Sequence, residues 1–364
     1  MKKTKKGPID VYTHDEADAT CLAAPDTESL NITLAAYALY LATGNTIYSQ
    51  SIRAATITEY LRASADLIQK LDPVENRDAR KTDKGKTYEG ISKVITEVKR
   101  IETVPNRREG YTLAMHRRLF TKITFLSLYS ALCAIFDWCA VGTQGGFRCS
   151  EYSQPSSSGL LTNIQLCPLG TPKAFILTDI EFYTKEKRLL ERKYAIEHPD
   201  EVYYVKVWFR WQKNGDHGIF RWMSRNDERI YLCAVRAWIR IVKRFLFFMN
   251  QIPGDPLTKP IAIYLHTKTK QPRYLTSTMV TAELRTLAVE VHGLKDKKDI
   301  DRFSSHSLRV GACCIYFAAG YNPAFIQRAL RWKSDAWRVY VRDLLCTAHR
   351  IVVAMNKADT MPVM

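Results

Sequence analysis

Apolar residues recur at helical spacing through the first third of the chain. Ser29 is placed to cap a helix carrying Leu30, Leu34, Tyr37 and Leu41. Ile57, Tyr60, Leu61, Leu67, Ile68 and Leu71 trace a second stripe, which Asp72-Pro73 ends. A charged loop, PVENRDARKTDKGKTY, follows. Ile91, Val94, Ile95, Val98 and Ile101 then repeat at i, i+3, i+4, i+7 and i+10, the pattern of an amphipathic helix. Residues 28–101 thus predict a small all-helical domain behind a polar, loosely packed N-terminus, residues 1–27. The stretch ETVPNRREGY, residues 102–111, reads as a linker because it combines a Pro, a Gly and a run of charges.

A second domain is expected over residues 112–364. It opens helical, through Ile123, Phe125, Leu126, Leu128, Leu132, Ile135 and Phe136, up to Gly145-Gly146. SQPSSSG, residues 153–159, is a loop. The period then shifts to two. AFILTDIEFY and EVYYVKVWFRW alternate apolar or aromatic residues with polar ones, QKNGDHG supplies a turn with an Asn-Gly pair, and IFRWM returns. TKEKRLLERKY, between the first two, has a basic, helix-like pattern, and everything from Asp227 onward reads as mainly helical. The fold class expected is therefore mainly α with a small three-stranded antiparallel sheet: an α+β domain after an all-α one.

Composition narrows the class. The chain has 364 residues, 46% hydrophobic and 25% charged, enough for two domains with proper cores. A net charge of +17 and a pI near 9.4 predict attraction to a polyanion, with nucleic acid the first candidate. Nine cysteines without a C-x-x-C pair read as reduced residues of an intracellular protein. After MKKTKK the chain turns polar, where a secretion signal would need an apolar run. Asp137 interrupts one long apolar stretch, and Arg240, Lys243 and Arg244 another, so no membrane span is expected.

The chemistry concentrates between Ser305 and Arg342. His306 and Arg309 stand one helical turn apart, Trp332 follows Arg309 by 23 positions, and Tyr340 follows Trp332 by eight, between Arg338 and Arg342. A tyrosine among cations, downstream of a paired His and Arg, suits attack on a phosphodiester. Arg309 can grip a non-bridging oxygen through a planar fork that lysine cannot copy. His306 can donate to the phosphate or relay the tyrosine's proton. Trp332 can donate its indole N–H or simply pack.

The order H-x-x-R, Trp, Tyr resembles the second catalytic box of the tyrosine recombinases, the lambda-integrase-like family. The wording HSLR, RWKSDA and YVR is closest to the Crypton type of mobile-element recombinase. The Trp–Tyr spacing is one short of the family's usual value. The resemblance implies a helical core-binding domain, a linker and a catalytic domain, and a first-box arginine opening a helix with an acid three residues on. GGFRCSEY supplies Arg148 and Glu151, the carboxylate orienting the guanidinium from behind. It also implies a hairpin lysine that protonates the leaving 5′ oxygen; Lys213 in the turn is the candidate, with Lys206 on the preceding strand as the alternative.

The implied activity is DNA cleavage and rejoining through a 3′-phosphotyrosine, on double-stranded DNA, by four protomers, for integration or excision of a mobile element. The C-terminal tail from Leu344 is a candidate to dock on a neighbour. A type IB topoisomerase and a non-catalytic DNA-binding protein are the competing readings. Arg77, Arg80, Lys81, Lys84, Arg107, Arg108, Arg117, Arg118, Lys295 and Lys297 are candidate DNA contacts, suited together to a clamp on backbone phosphates. No zinc spacing, Gly-rich phosphate loop or two-metal carboxylate pair is present, so no metal or cofactor is expected. The location implied is the nucleus in a eukaryote, or otherwise the nucleoid in the cytoplasm.

Overall fold

A computed structural model describes residues 27–43, 52–71, 78–82, 84–101, 107–155, 161, 164–212, 215 and 217–341. The chain divides into two compact units, Met1–Pro105 and Asn106–Met364. Among the described residues no helix is long and apolar enough to cross a membrane.

The first unit holds α1 (Thr27–Ala42), α2 (Ala54–Leu71) and α3 (Glu89–Ile101). Its core is Leu34, Ala38 and Leu41 against Ala54, Ile57, Leu61 and Ala65, closed by Ile91 and Val98. Small residues set the helix contacts, which periodicity of large residues misreads. Ala38 is buried while Tyr37 is exposed, and Ala65 is buried while Tyr60 and Leu67 are exposed. Ser29, expected as a cap, lies inside α1, where its carbonyl accepts from Thr33 Oγ1.

In the second unit, α4 (Leu113–Ile123) and α5 (Ala131–Gly145) are followed by a one-turn helix α6 (Cys149–Tyr152). The sheet is β1 (Ile180–Tyr183), β2 (Leu189–Leu190), β3 (Tyr204–Phe209) and β4 (Ile219–Ser224), in antiparallel order β2-β1-β3-β4. It thus has four strands where the pattern predicted three. The extra one, β2, comes from the segment read as helix-like, which instead turns back on β1 and continues into α7 (Arg192–Glu197). Ile180, Phe182, Val205, Val207, Phe209 and Met223 point inward toward α5 and α8 (Ala234–Phe248).

A second correction lies further on. A small hairpin, β5 (Ile263–Leu265) with β6 (Pro272–Tyr274), interrupts the region expected to be mainly helical. The described residues end in α9 (Ser277–His292), α10 (Lys297–Ile300), α11 (Ser307–Ala318), α12 (Pro323–Leu330) and a 3-10 turn, Asp335–Tyr340.

Polar residues inside the two longest apolar runs answer one another. Asp137 of α5 accepts from Arg240 Nε at 2.7 Å and from the fully buried Arg244 at 2.6 Å, both on α8. Each buried charge is paired, as burial requires. Trp138 and Trp238 meet edge to face beside them, 5.3 Å between centroids.

Of the stretch read as a linker, the described part, Arg107–Tyr111, packs on the second unit. Tyr111 is buried and its N–H bonds Ser307 O at 2.9 Å. That contact explains Gly311 inside α11: a Cβ there would collide with the carbonyl oxygen of Tyr111.

Candidate active site

Helix ends assemble the site. Helix α5 stops at Gly146, whose φ of 56° and ψ of 44° give the left-handed cap that glycine adopts freely. The chain turns there and places Arg148 as the N-cap of α6. Glu151 closes a box on it: one carboxylate oxygen accepts from Arg148 N at 2.9 Å and the other from Arg148 Nη1 at 3.2 Å. The carboxylate is buried, so the guanidinium is held from behind.

Arg309 lies in the first turn of α11 and is 2% exposed. Its Nη1 bonds Gly146 O at 2.5 Å and its guanidinium lies over the Trp332 ring, 4.4 Å from the centroid. Burial, then the nearby Arg331 and Arg148, draw its pKa down to about 9, which leaves it a cation at neutral pH with little water around it. Trp332 keeps its ring under that cation, and its Nε1, buried, has no hydrogen-bond partner among the described residues. An orphaned donor and a dehydrated guanidinium side by side suit an anionic oxygen.

Tyr340 ends the 3-10 turn, which Ser334 caps. Its hydroxyl is 3.4 Å from His306 Nε2, and its ring is 5.9 Å from that of Trp332. Burial lowers the His306 pKa to about 4, reinforced by Arg309, Arg108 and Arg148. The imidazole is therefore neutral near pH 7 and free to accept the tyrosine's proton. Burial raises the Tyr340 pKa, and Arg309 opposes that shift.

A cleft of about 670 Å³ is lined by Arg148, His306, Arg309, Arg331 and Trp332, together with Ser153, Gln154 and Ser277. Tyr340 touches two of its walls, His306 and Trp332. Five of the six residues singled out for chemistry thus come together with Glu151 behind them. The sixth, Lys213, lies outside the described residues. Its neighbour Gln212 accepts from Arg148 Nη1 at 3.4 Å, which brings the base of that hairpin to the site. The alternative, Lys206, is not among the cleft-lining residues. It pairs with Glu181 at 3.2 Å and sits 4.2 Å from the Trp208 ring on the outer face of the sheet.

Arg331 was not singled out from the sequence, yet it is 4% exposed and donates to Glu151 at 2.8 Å. Its only local signal is adjacency to Trp332, which does not distinguish it among 54 lysines and arginines.

Several expected backbone-contact cations already have partners. Arg80 is chelated by Asp78 (2.7 and 2.8 Å), and Arg118 pairs with Glu290 at 2.7 Å. Arg108 donates to Asp301 O at 2.9 Å and Arg107 is half-buried. Lys81, Lys84, Arg117, Lys295 and Lys297 are exposed; Arg77 lies outside the described residues. Arg338 pairs with Asp335 at 3.0 Å. Arg342 and the tail from Leu344 also lie outside the described residues. Among the described residues no three His, Cys, Asp or Glu side chains gather as a metal site needs.

No protein-family model matches the chain, and no curated protein matches it in sequence. Solved structures similar to it include the Tn1549 transposon integrase in complex with circular intermediate DNA, at 12% identity over 93% of this chain and 88% of that one, with a TM-score of 0.42. XerA recombinase is similar at 14% identity over 93% and 86%, TM-score 0.36. A lambda integrase dimer bound to a COC' core site is similar at 13% over 88% and 81%, TM-score 0.40. Likenesses this remote assign neither an activity nor any residue.

Proposed function

We propose that the protein is a site-specific DNA recombinase of the tyrosine-recombinase type. The observation that carries this reading is the Tyr340 hydroxyl resting on a neutral His306, at the edge of a cleft walled by Arg148, Arg309 and the Trp332 Nε1, which has no partner among the described residues. A scissile phosphate in that cleft meets two guanidiniums and an indole N–H on its non-bridging oxygens. Preorganised cations aimed at developing charge in a dehydrated cleft are the main source of catalysis in such a transfer.

The step balances without an added reactant. Tyr340 Oη forms a bond to phosphorus as its proton passes to His306. The P–O5′ bond breaks, and Lys213 protonates the leaving oxygen. The phosphotyrosine keeps the energy of the broken ester, so a 5′ hydroxyl can reverse the step with neither ATP nor a metal assigned a role. Four protomers on duplex DNA, service to a mobile element and the nuclear or nucleoid location belong to the same reading.

The test is a nicked suicide duplex selected from a random library, watched for a covalent protein–DNA band. A band that needs Tyr340 supports the reading. Absence of any band from protein that binds the selected DNA favours a non-catalytic DNA binder. Relaxation of supercoiled plasmid by monomer, without strand exchange, favours a topoisomerase.

A further inference from the structure

Arg331 occupies a place where two costs meet. It caps α12 in the left-handed region, with φ 57° and ψ 47°, which glycine would adopt without strain. Its side chain is also a buried cation beside two others, Arg148 and Arg309. Burial, with Arg148 and Arg221 adding to it, weakens its hold on its proton against the pull of Glu151. A residue chosen only for packing would be apolar, since replacing buried ion pairs by hydrophobic residues is often neutral or stabilising.

Its contacts run to both arginines. Arg331 Nη2 donates to Glu151 Oε2 at 2.8 Å, and the same oxygen accepts from Arg148 N at 2.9 Å while Oε1 accepts from Arg148 Nη1 at 3.2 Å. The carbonyl of Arg331 accepts from Arg309 Nη2 at 3.3 Å. The guanidinium carbon lies over the Phe209 ring, 3.5 Å from its centroid, so the side chain is held in place as a strut. The next residue is Trp332, whose ring lies under Arg309.

We propose that Arg331 is a positioning residue for the phosphate: its side chain sets Arg148 through Glu151, while its backbone carbonyl sets Arg309. This rests on the recombinase reading and extends it to a residue that reading does not require. Among the described residues Glu151 is the carboxylate that pairs with Arg148 and Arg331 in this cluster, while Arg309 bonds only carbonyl oxygens there. The excess positive charge remains for the substrate, and the geometry in which it is offered depends on this strut.

The experiment compares Arg331→Gly, Arg331→Lys and wild type in single-turnover cleavage of the suicide duplex, alongside DNA affinity. Glycine removes the side chain, keeps the carbonyl and suits the left-handed backbone. Cleavage by Arg331→Gly should fall about 10- to 100-fold with affinity within about twofold, since one misplaced phosphate contact costs rate rather than binding. Arg331→Lys should recover part of the rate. In an Arg148→Lys background, adding Arg331→Gly should cost less than about twofold more, because both changes break one chain of contacts. A wild-type rate in Arg331→Gly, or its full loss repeated in the Arg148→Lys background, overturns the proposal. If Arg331→Gly does not fold, Glu151→Gln cuts the same link from the other side and is held to the same two comparisons. Absence of a Tyr340-dependent adduct from the wild type instead overturns the recombinase reading itself.

Discussion

His306 Nε2 stands 3.4 Å from the hydroxyl of Tyr340, and burial perturbs both groups toward their neutral forms. A neutral imidazole facing a neutral phenol is a base waiting beside its acid. On the proposed reading, a phosphate in the cleft supplies the negative charge that the surrounding arginines lack.

Tyr340→Phe should bind DNA as the wild type does and form no covalent adduct. The ring still packs against Trp332 and His306; only the oxygen proposed to attack is gone. An undiminished adduct in a denaturing gel would move the nucleophile to another tyrosine.

Arg148→Lys and Arg309→Lys should each slow single-turnover cleavage by about 10² to 10³, the usual cost of one donor to developing charge. Affinity should change little, because one phosphate contact among many contributes little to binding. Lysine cannot copy the fork by which Arg309 reaches both Gly146 O and Arg331 O. Near wild-type rates from either variant would remove that arginine from the site.

Lys213→Ala should be rescued by a substrate carrying sulfur at the 5′ bridging position, since a thiolate leaves without a proton. Lys206→Ala should need no rescue. Its ammonium is held by Glu181 and the Trp208 ring on the outer face of the sheet. Rescue of the Lys206 variant alone would exchange the two roles.

Acid should weaken the second unit before it unfolds the chain outright. Burial lowers the pKa of His116 and of His306 to about 4, from 6.5. Between those values the unfolded chain binds more protons than the folded one, so stability is full above pH 6.5 and falls as the pH drops toward 4. Each histidine should account for a loss on the order of 1–3 kcal/mol across that window. Urea denaturation at pH 7 and pH 4.5 measures it. His306→Gln should show a smaller difference than wild type, and an equal one would refute the assignment for His306.

Gly311→Ala should destabilise the second unit by about 1–3 kcal/mol, the usual range for overpacking. The added methyl must displace the backbone of Tyr111, which cannot swing away as a side chain would. Thermal melting of the variant checks it, and a melting point equal to wild type would show that the contact yields.

Much of this was legible locally. His306 and Arg309 share a face because three residues make nearly one helical turn. R-x-x-E indicated that Glu151 would orient Arg148, and the structure shows that it does so through a capping box. Sheet strands β3 and β4 announced themselves by alternation and an Asn-Gly turn. Where local pattern failed, a small residue or a very short element was involved. Ala38 and Ala65 are buried where Tyr37 and Tyr60 were expected to be. The two residues of β2 are too few to show a period.

The sequence by itself determined the order and spacing of His306, Arg309, Trp332 and Tyr340, and set the first two one helical turn apart. Tertiary structure decided that Trp332 and Tyr340, 23 and 31 positions beyond Arg309, fold back against that turn. Tertiary structure alone decided which cations are spent. Arg80, Arg118 and Lys206 find carboxylates, whereas Arg309, among the described residues, bonds carbonyl oxygens and lies over an aromatic face. It alone also disclosed Arg331, whose partner Glu151 is 180 positions away. Periodicity reports which face of an element is apolar. It carries no information on which charge a buried guanidinium will meet once two distant segments pack together.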